Sequence, residues 1–195
     1  MNKHICEIVE RLPDHTEYVG LNQSMKPTRA WKRFPNDRLK GNQIYQLANA
    51  AVILSSAELM VIDLDNHDGK MTDIIKPIAE HLFKLCPTYM VKTKSKGYHL
   101  YYKRPTGCGL KKKATLELPN GDFLGDFQVG DALTFIGKGY SSVKYDNEIP
   151  SLAIANNDII KWVKRRRKTA GKTNTRYVKD TTYNPPEGWL AYCRL

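Results

Sequence analysis

The sequence predicts a mixed α/β (α+β) domain built around an antiparallel sheet. Three observations predict it. Two apolar runs flank a polar turn within residues 51–62, and an amphipathic stretch follows at 71–85. Two further strand-like runs then bracket a Lys/Ser/Gly turn within 88–103. No internal repeat competes with this reading.

Residues 4–12 (HICEIVERL) space their apolar side chains as a helix does, and Pro13-Asp14 ends it. EYVGLN reads as a strand leaving into the Lys-, Arg- and Pro-rich loop SMKPTRAWKRFPND. Within that loop Trp31 has two readings: a core anchor at the loop edge, or an aromatic platform in a basic groove. Residues 42–49 (NQIYQLAN) read as a helix. The runs 51–54 and 59–62, separated by Ser55-Ser56-Ala57-Glu58, predict a β-hairpin whose second strand is buried on both faces.

After the polar loop Asn66–Gly69, residues 71–85 place Ile74, Ile75, Ile78, Leu82 and Leu85 on one helical face. Pro77 should kink this helix or delay its start. Residues 88–93 and 98–103 pair around the turn Lys94-Ser95-Lys96-Gly97, and residues 106–121 are expected as an exposed hairpin or loop. Strands follow at 123–129 and 132–136 around a Gly130-Asp131 turn, and a last helix at 151–164. The catalytic-type domain is thus expected over 1–163. Residues 164–195 are expected as a basic linker or tail leading toward a further region.

The chain has 195 residues, 41% of them hydrophobic and 26% charged, which supports a real core and excludes wholesale disorder. No apolar run approaches the roughly 20 residues of a membrane helix, and the first residues lack a signal-peptide pattern, so a cytoplasmic location is expected. Cys6, Cys86, Cys108 and Cys193 are too scattered for a zinc site or a dense disulfide framework. The net charge of +11 points to polyanionic partners. The run Lys164, Arg165, Arg166, Arg167, Lys168 concentrates that charge: residues 161–180 hold nine basic residues and one acid. It reads as a nucleic-acid contact, or as a solvated helix end favoured by the helix dipole.

Three acids carry the candidate chemistry. In a strand, residues i and i+2 share a face, so Asp63 and Asp65 would sit side by side at the end of an apolar run. Asp126 lies in the strand-like FLGDFQV, where an acid needs solvent or a site. Together they form the oxygen-donor set that Mg²⁺ or Mn²⁺ accepts in two-metal phosphoryl transfer. The plainer reading is a strand end with two solvated acids. The turn Lys94-Ser95-Lys96-Gly97, followed by His99, offers backbone N–H groups, a hydroxyl and two ammonium groups to a triphosphate. His99 could equally be structural. A Walker-type loop is absent.

The order of VIDLD, a helix, TKSKGYHLYY and GDFQV resembles the archaeo-eukaryotic primase superfamily, in particular its bifunctional primase–polymerase (prim-pol) branch found in plasmids, phages and mobile elements. Lys26-Pro27 and Trp31 upstream, and LTFIGKGYS downstream, are similar to segments flanking those motifs. The resemblance covers residues 18–146. It implies an RRM-like antiparallel sheet carrying the acids, beside a smaller N-terminal α/β part. It implies Asp63, Asp65 and Asp126 as metal-binding catalytic acids. Ser95 and His99 would contact the nucleotide triphosphate, with Lys94, Lys96 and, by position, Lys138 assisting. A basic residue is common two positions after the third acid, where this chain has Gln128.

The resulting expectation is a template-dependent primase or polymerase in DNA replication, using NTP or dNTP, a DNA template and primer, and Mg²⁺ or Mn²⁺ without zinc. A replicative helicase is a further expected partner. The alternative is a non-catalytic single-strand or origin DNA-binding module, against which three retained acids argue. A rolling-circle nuclease is disfavoured because it needs a His-x-His pair.

Overall fold

Two sheets divide the strands between them, and chain order does not separate the two sets. The computed structural model describes residues 1–66, 69 and 71–168. The helices are α1 (Lys3–Val9), α2 (Thr72–Leu85) and α3 (Asn157–Arg166). The strands are β1 (Glu17–Gly20), β2 (Asn49–Ile53), β3 (Leu59–Leu64), β4 (Met90–Lys92), β5 (Tyr98–Lys103), β6 (Ala114–Glu117), β7 (Phe123–Val129), β8 (Leu133–Gly137), β9 (Ser141–Ser142) and β10 (Ala153–Ile154).

The larger sheet has the order β6-β7-β3-β5-β4-β9, antiparallel throughout, with β10 added parallel to β5. Its middle is a split βαβ unit: β3 and β4 run parallel with β5 between them, and α2 makes the crossover. The smaller sheet is β1-β2-β8. The mixed α/β class is therefore the one the sequence predicted.

Alternation along the strands explains the layering. On one face of the large sheet Met60, Ile62, Leu64, Leu100 and Phe127 meet Ile75 and Leu82 of α2 and Ile159 and Val163 of α3. The opposite face offers Val61, Tyr89, Val91 and Tyr101 to Ile5 and Ile8 of α1 and to Tyr18, Val52 and Ile136 of the small sheet. The outer face of the small sheet, Val19, Ala51 and Ile53, is covered by Trp31 and Leu21. Trp31 is 5% exposed and anchors its loop, which settles its two readings in favour of the core.

Several local expectations are corrected. Residues 51–62 are not a hairpin, because β2 pairs with β1 and β8 while β3 pairs with β5 and β7. The turn between them is a 3-10 turn at Leu54–Ala57 closed by Glu58 in the left-handed region, and it carries the chain from one sheet to the other. Residues 42–49 form a short 3-10 turn, Gly41–Ile44, and the start of β2 rather than a helix. Residues 106–121 are not wholly an exposed excursion, since Leu110 and Leu116 are buried and β6 forms the sheet edge. The last helix begins later than residue 151, at the N-cap Asn156, whose side chain accepts from the Asp158 and Ile159 amides. Residues 153–154 are instead the parallel strand β10.

Residues 164–166, expected to open a tail, are the last turn of α3. Residues 169–195 lie outside the described residues. The smaller subdomain is not contiguous either, because β8 completes its sheet from the far side of the catalytic motifs. Pro77 lies inside α2, which starts at Thr72 regardless.

Candidate active site

Strand register builds the site. Asp63 of β3 lies directly opposite His99 of β5 and, on its other side, directly opposite Asp126 of β7. Directly opposed residues share a face, so the three side chains form one row across adjacent strands. Thr115 of β6 and Val91 of β4 extend the row at either end. Asp65 follows immediately after β3, two residues from Asp63, and its amide donates to the Leu124 carbonyl at 3.0 Å.

Like charges directly opposite one another destabilise a sheet unless something offsets them. Here the offsets are visible. Lys113 Nζ is 2.7 Å from Asp126 Oδ2. His99 Nε2 lies 3.3 Å from Asp63 Oδ1, and Gln128 Nε2 donates to Asp63 Oδ2 at 2.8 Å. Gln128 is held in turn by Thr134 of β8, whose hydroxyl donates to Gln128 Oε1 at 2.5 Å. The smaller sheet thereby reaches the Asp63 carboxylate through one amide. The Asp63 and Asp126 side chains keep 16% and 21% exposure, whereas His99 keeps 5%.

Two glycines let strands and turn close around the row. A Cβ at Gly125 would collide with the Asp63 carbonyl, so only glycine lets β7 lie this close to β3. A Cβ at Gly97 would collide with the Leu64 carbonyl, so the turn packs onto the end of β3. That turn is closed by the Thr93 amide, which donates to the Gly97 carbonyl at 2.9 Å, by the Lys96 amide, which donates to the Thr93 carbonyl at 3.0 Å, and by Thr93 Oγ1, which accepts from the Gly97 amide at 2.9 Å. Lys94 and Lys96 are exposed on it, and Ser95 Oγ lies 3.2 Å from Thr93 Oγ1. The next turn carries exposed Lys138, and its Gly139 packs against the Lys94 side chain. Tyr140 closes that turn with its ring 5.6 Å from the His99 ring. Burial, and then the nearby Asp63 and Asp65 carboxylates, push its hydroxyl up to about 12.

The structure thus brings Asp63, Asp126 and His99 into one row, with Asp65 at the strand end. It brings Lys94, Ser95, Lys96 and Lys138 onto two adjoining turns. It does not bring the run 164–168 onto this face. Helix α3 packs with α2 on the opposite face of the sheet, and Arg167 pairs with Leu116 at the β6 edge. Gln128, Thr134, Lys113 and Tyr140 were not assigned roles from sequence. Gln128 was accessible by the i+2 rule from Asp126. The other three are cross-strand neighbours with no local signal.

A family model for the bifunctional DNA primase/polymerase N-terminal domain (Prim-Pol) matches residues 19–169. The chain belongs to the prim-pol family. The match takes in the whole acid row, both lysine-bearing turns, α3 and the basic run. Prim-pol domains take DNA and nucleotides as substrates. No curated protein matches the chain. Among the described residues no helix is long and apolar enough to cross a membrane.

The donor chemistry fits a hard divalent cation, since Asp63 and Asp126 offer carboxylate oxygens on neighbouring strands and Asp65 follows at the end of β3. The like-charge pair Asp63–Asp126 is a cost that such an ion would offset. Among the described residues no three His, Cys, Asp or Glu side chains already converge as a ligand set. Asp126 turns to Lys113 and Asp63 to His99 and Gln128.

Proposed function

We propose that the chain is a template-dependent nucleotidyltransferase that extends, or starts, a strand during DNA replication. The observation that carries this reading is the in-register row Asp126–Asp63–His99 across three strands of a prim-pol domain. The 3′-hydroxyl oxygen of a primer or first nucleotide bonds to the α-phosphorus of an NTP or dNTP. The bond from that phosphorus to the β-phosphate oxygen breaks, pyrophosphate leaves, and the hydroxyl proton is lost.

Asp63, Asp65 and Asp126 would hold Mg²⁺ or Mn²⁺. The ion, when bound, supplies a more acidic attacking hydroxyl and charge neutralisation on the triphosphate. The chain's own residues do the positioning. Lys94, Lys96 and Lys138 bring ammonium groups from two adjoining turns, and Ser95 adds a hydroxyl, so the triphosphate is gripped beyond the end of β3. His99 is fixed by Asp63 beside the acids, and its buried Nδ1 has no hydrogen-bond partner. Gln128 orients the Asp63 carboxylate, doing with a neutral amide what a cation would do by charge.

The test is primer extension with Mg²⁺ or Mn²⁺ on primed and unprimed templates, for the wild type and the Asp63→Ala, Asp65→Ala double variant. Extension by the wild type that vanishes in the variant supports nucleotidyl transfer, and the unprimed template then reports priming. Extension that survives in the variant sinks the assignment. Salt-sensitive DNA binding without extension, or without metal-dependent nucleotide binding, points to a binding module instead.

A further inference from the structure

We propose that Lys111–Lys113 and the α3 C-terminus form one cationic ridge along β6, which takes the phosphodiester backbone of the DNA serving the acid row. The proposal rests on the nucleotidyl-transfer reading of that row. Two segments far apart in sequence meet here. Arg167 forms an antiparallel bridge with Leu116, and the Lys168 amide donates to the Thr115 carbonyl at 2.9 Å. The end of α3 therefore continues as a short addition to the outer edge of the sheet. Lys168 Nζ closes the join on Glu117 at 3.0 Å. At the other end of β6, a Cβ on Gly109 would come within 3.9 Å of Lys164 Nζ, so the approach to Lys111 runs beside the helix.

The ridge is continuous with the site. Lys113, next to Ala114 of β6, ion-pairs Asp126 in the row itself. Lys111 and Lys112, immediately before it, are exposed and have no ion-pair partner among the described residues. The helix dipole accounts for cations in the last turn of α3. It does not account for a second lysine run docked beside them. The two segments bring Lys111, Lys112, Lys113, Lys164, Arg167 and Lys168 together, and Asp126 and Glu117 engage Lys113 and Lys168. Gathering that much like charge along one strand costs repulsion, which a polyanion's phosphates offset while releasing counterions. Base-reading geometry is not needed, so the ridge fits a backbone contact without sequence preference.

The test measures affinity of the full chain for a labelled single strand and for a duplex between 50 and 200 mM salt. Three variants are compared: Lys111→Gln with Lys112→Gln, Lys164→Gln alone, and all three together. Each lost phosphate contact should flatten the slope of log affinity against log salt by about 0.7 on a single strand or about 0.9 on a duplex. The double variant should therefore flatten it by about 1.4 or about 1.8, and the triple variant by one contact more. Lys111→Arg with Lys112→Arg should restore the wild-type slope, and thermal melting confirms that each variant is folded. Slopes unchanged in folded variants overturn the ridge, and so does a response confined to one of the two segments. Wild-type extension with unchanged variant slopes leaves nucleotidyl transfer standing without the ridge. A ridge-dependent slope in a wild type that never extends a primer does the reverse.

Discussion

The two faces of β3 come from alternate residues of one six-residue strand, yet they have opposite fates. Met60, Ile62 and Leu64 lie under α2 and α3 and are fully buried. Leu59 and Val61, on the other face, are just as buried under α1 and the small sheet, but the next residue on that face is Asp63, which keeps access to solvent. A face covered along its whole length must be apolar. A face whose cover stops short can finish in carboxylates, and those carboxylates then inherit the rigidity of the core beneath them.

The sharpest way to test that contrast is to alter the open face. Asp63→Asn should reduce primer extension by about a thousandfold or more, equivalent to about 4 kcal/mol of barrier. Its melting temperature should hold or rise, because a like-charge opposition is removed. A matching fall in stability would instead make Asp63 a structural residue. On the covered face, Ile62→Ala should cost about 2–5 kcal/mol in urea unfolding, since it empties a fully buried position. A cost below about 1 kcal/mol would mean that the helices do not close over β3.

Between the two faces stands Gln128, which ties the open end to the small sheet. Gln128→Leu should raise the Mn²⁺ needed for half-maximal extension by about tenfold, with the maximal rate less affected. An unchanged Mn²⁺ requirement would remove Gln128 from the site.

A smaller effect is expected from pH. Burial raises the Tyr18, Tyr89, Tyr101 and Tyr102 hydroxyls above their ordinary value of 10, and Tyr140 follows at about 12. The unfolded chain releases these protons first, so stability is full below pH 10 and falls as pH rises from 10 toward 12. Urea midpoints at pH 9 and 11 check the sign. The smallest change is expected in the small sheet, where Glu17 pairs Arg38 at 2.9 Å and Lys40 at 3.0 Å. Glu17→Gln should cost no more than about 1 kcal/mol, read from the same midpoints.

Much of the site was legible because its signals are local. The end of an apolar strand marked Asp63, with Asp65 just beyond it, and an acid among apolar strand residues marked Asp126. The Lys/Ser/Gly turn between two strand-like runs was read as a hairpin, and β4 and β5 do pair around it. The errors share a different cause. Residues 51–62 looked like a hairpin because two apolar runs flank a short turn, but β2 finds a better partner in β8, far along the chain. Residues 42–49 read as a helix, but the segment makes only the 3-10 turn Gly41–Ile44 before Asn49 opens β2 against β8. Trp31 is not among the errors: of the two readings its cationic neighbours left open, the core anchor holds, because the outer face of the small sheet needed a cover.

By itself the sequence determined which residues carry charge, which runs are apolar, and the period of each run. Those settle the apolar strand β3, the α2 face and the acid that ends β3's open face, because side-chain direction follows from backbone period alone. Tertiary structure decided everything that depends on which strand lies beside which. It set Asp126 opposite Asp63, Thr134 behind Gln128, Lys113 on Asp126, and the α3 terminus along β6. Strand pairing is a choice among distant partners made by the burial of whole faces, and no local window of sequence contains it.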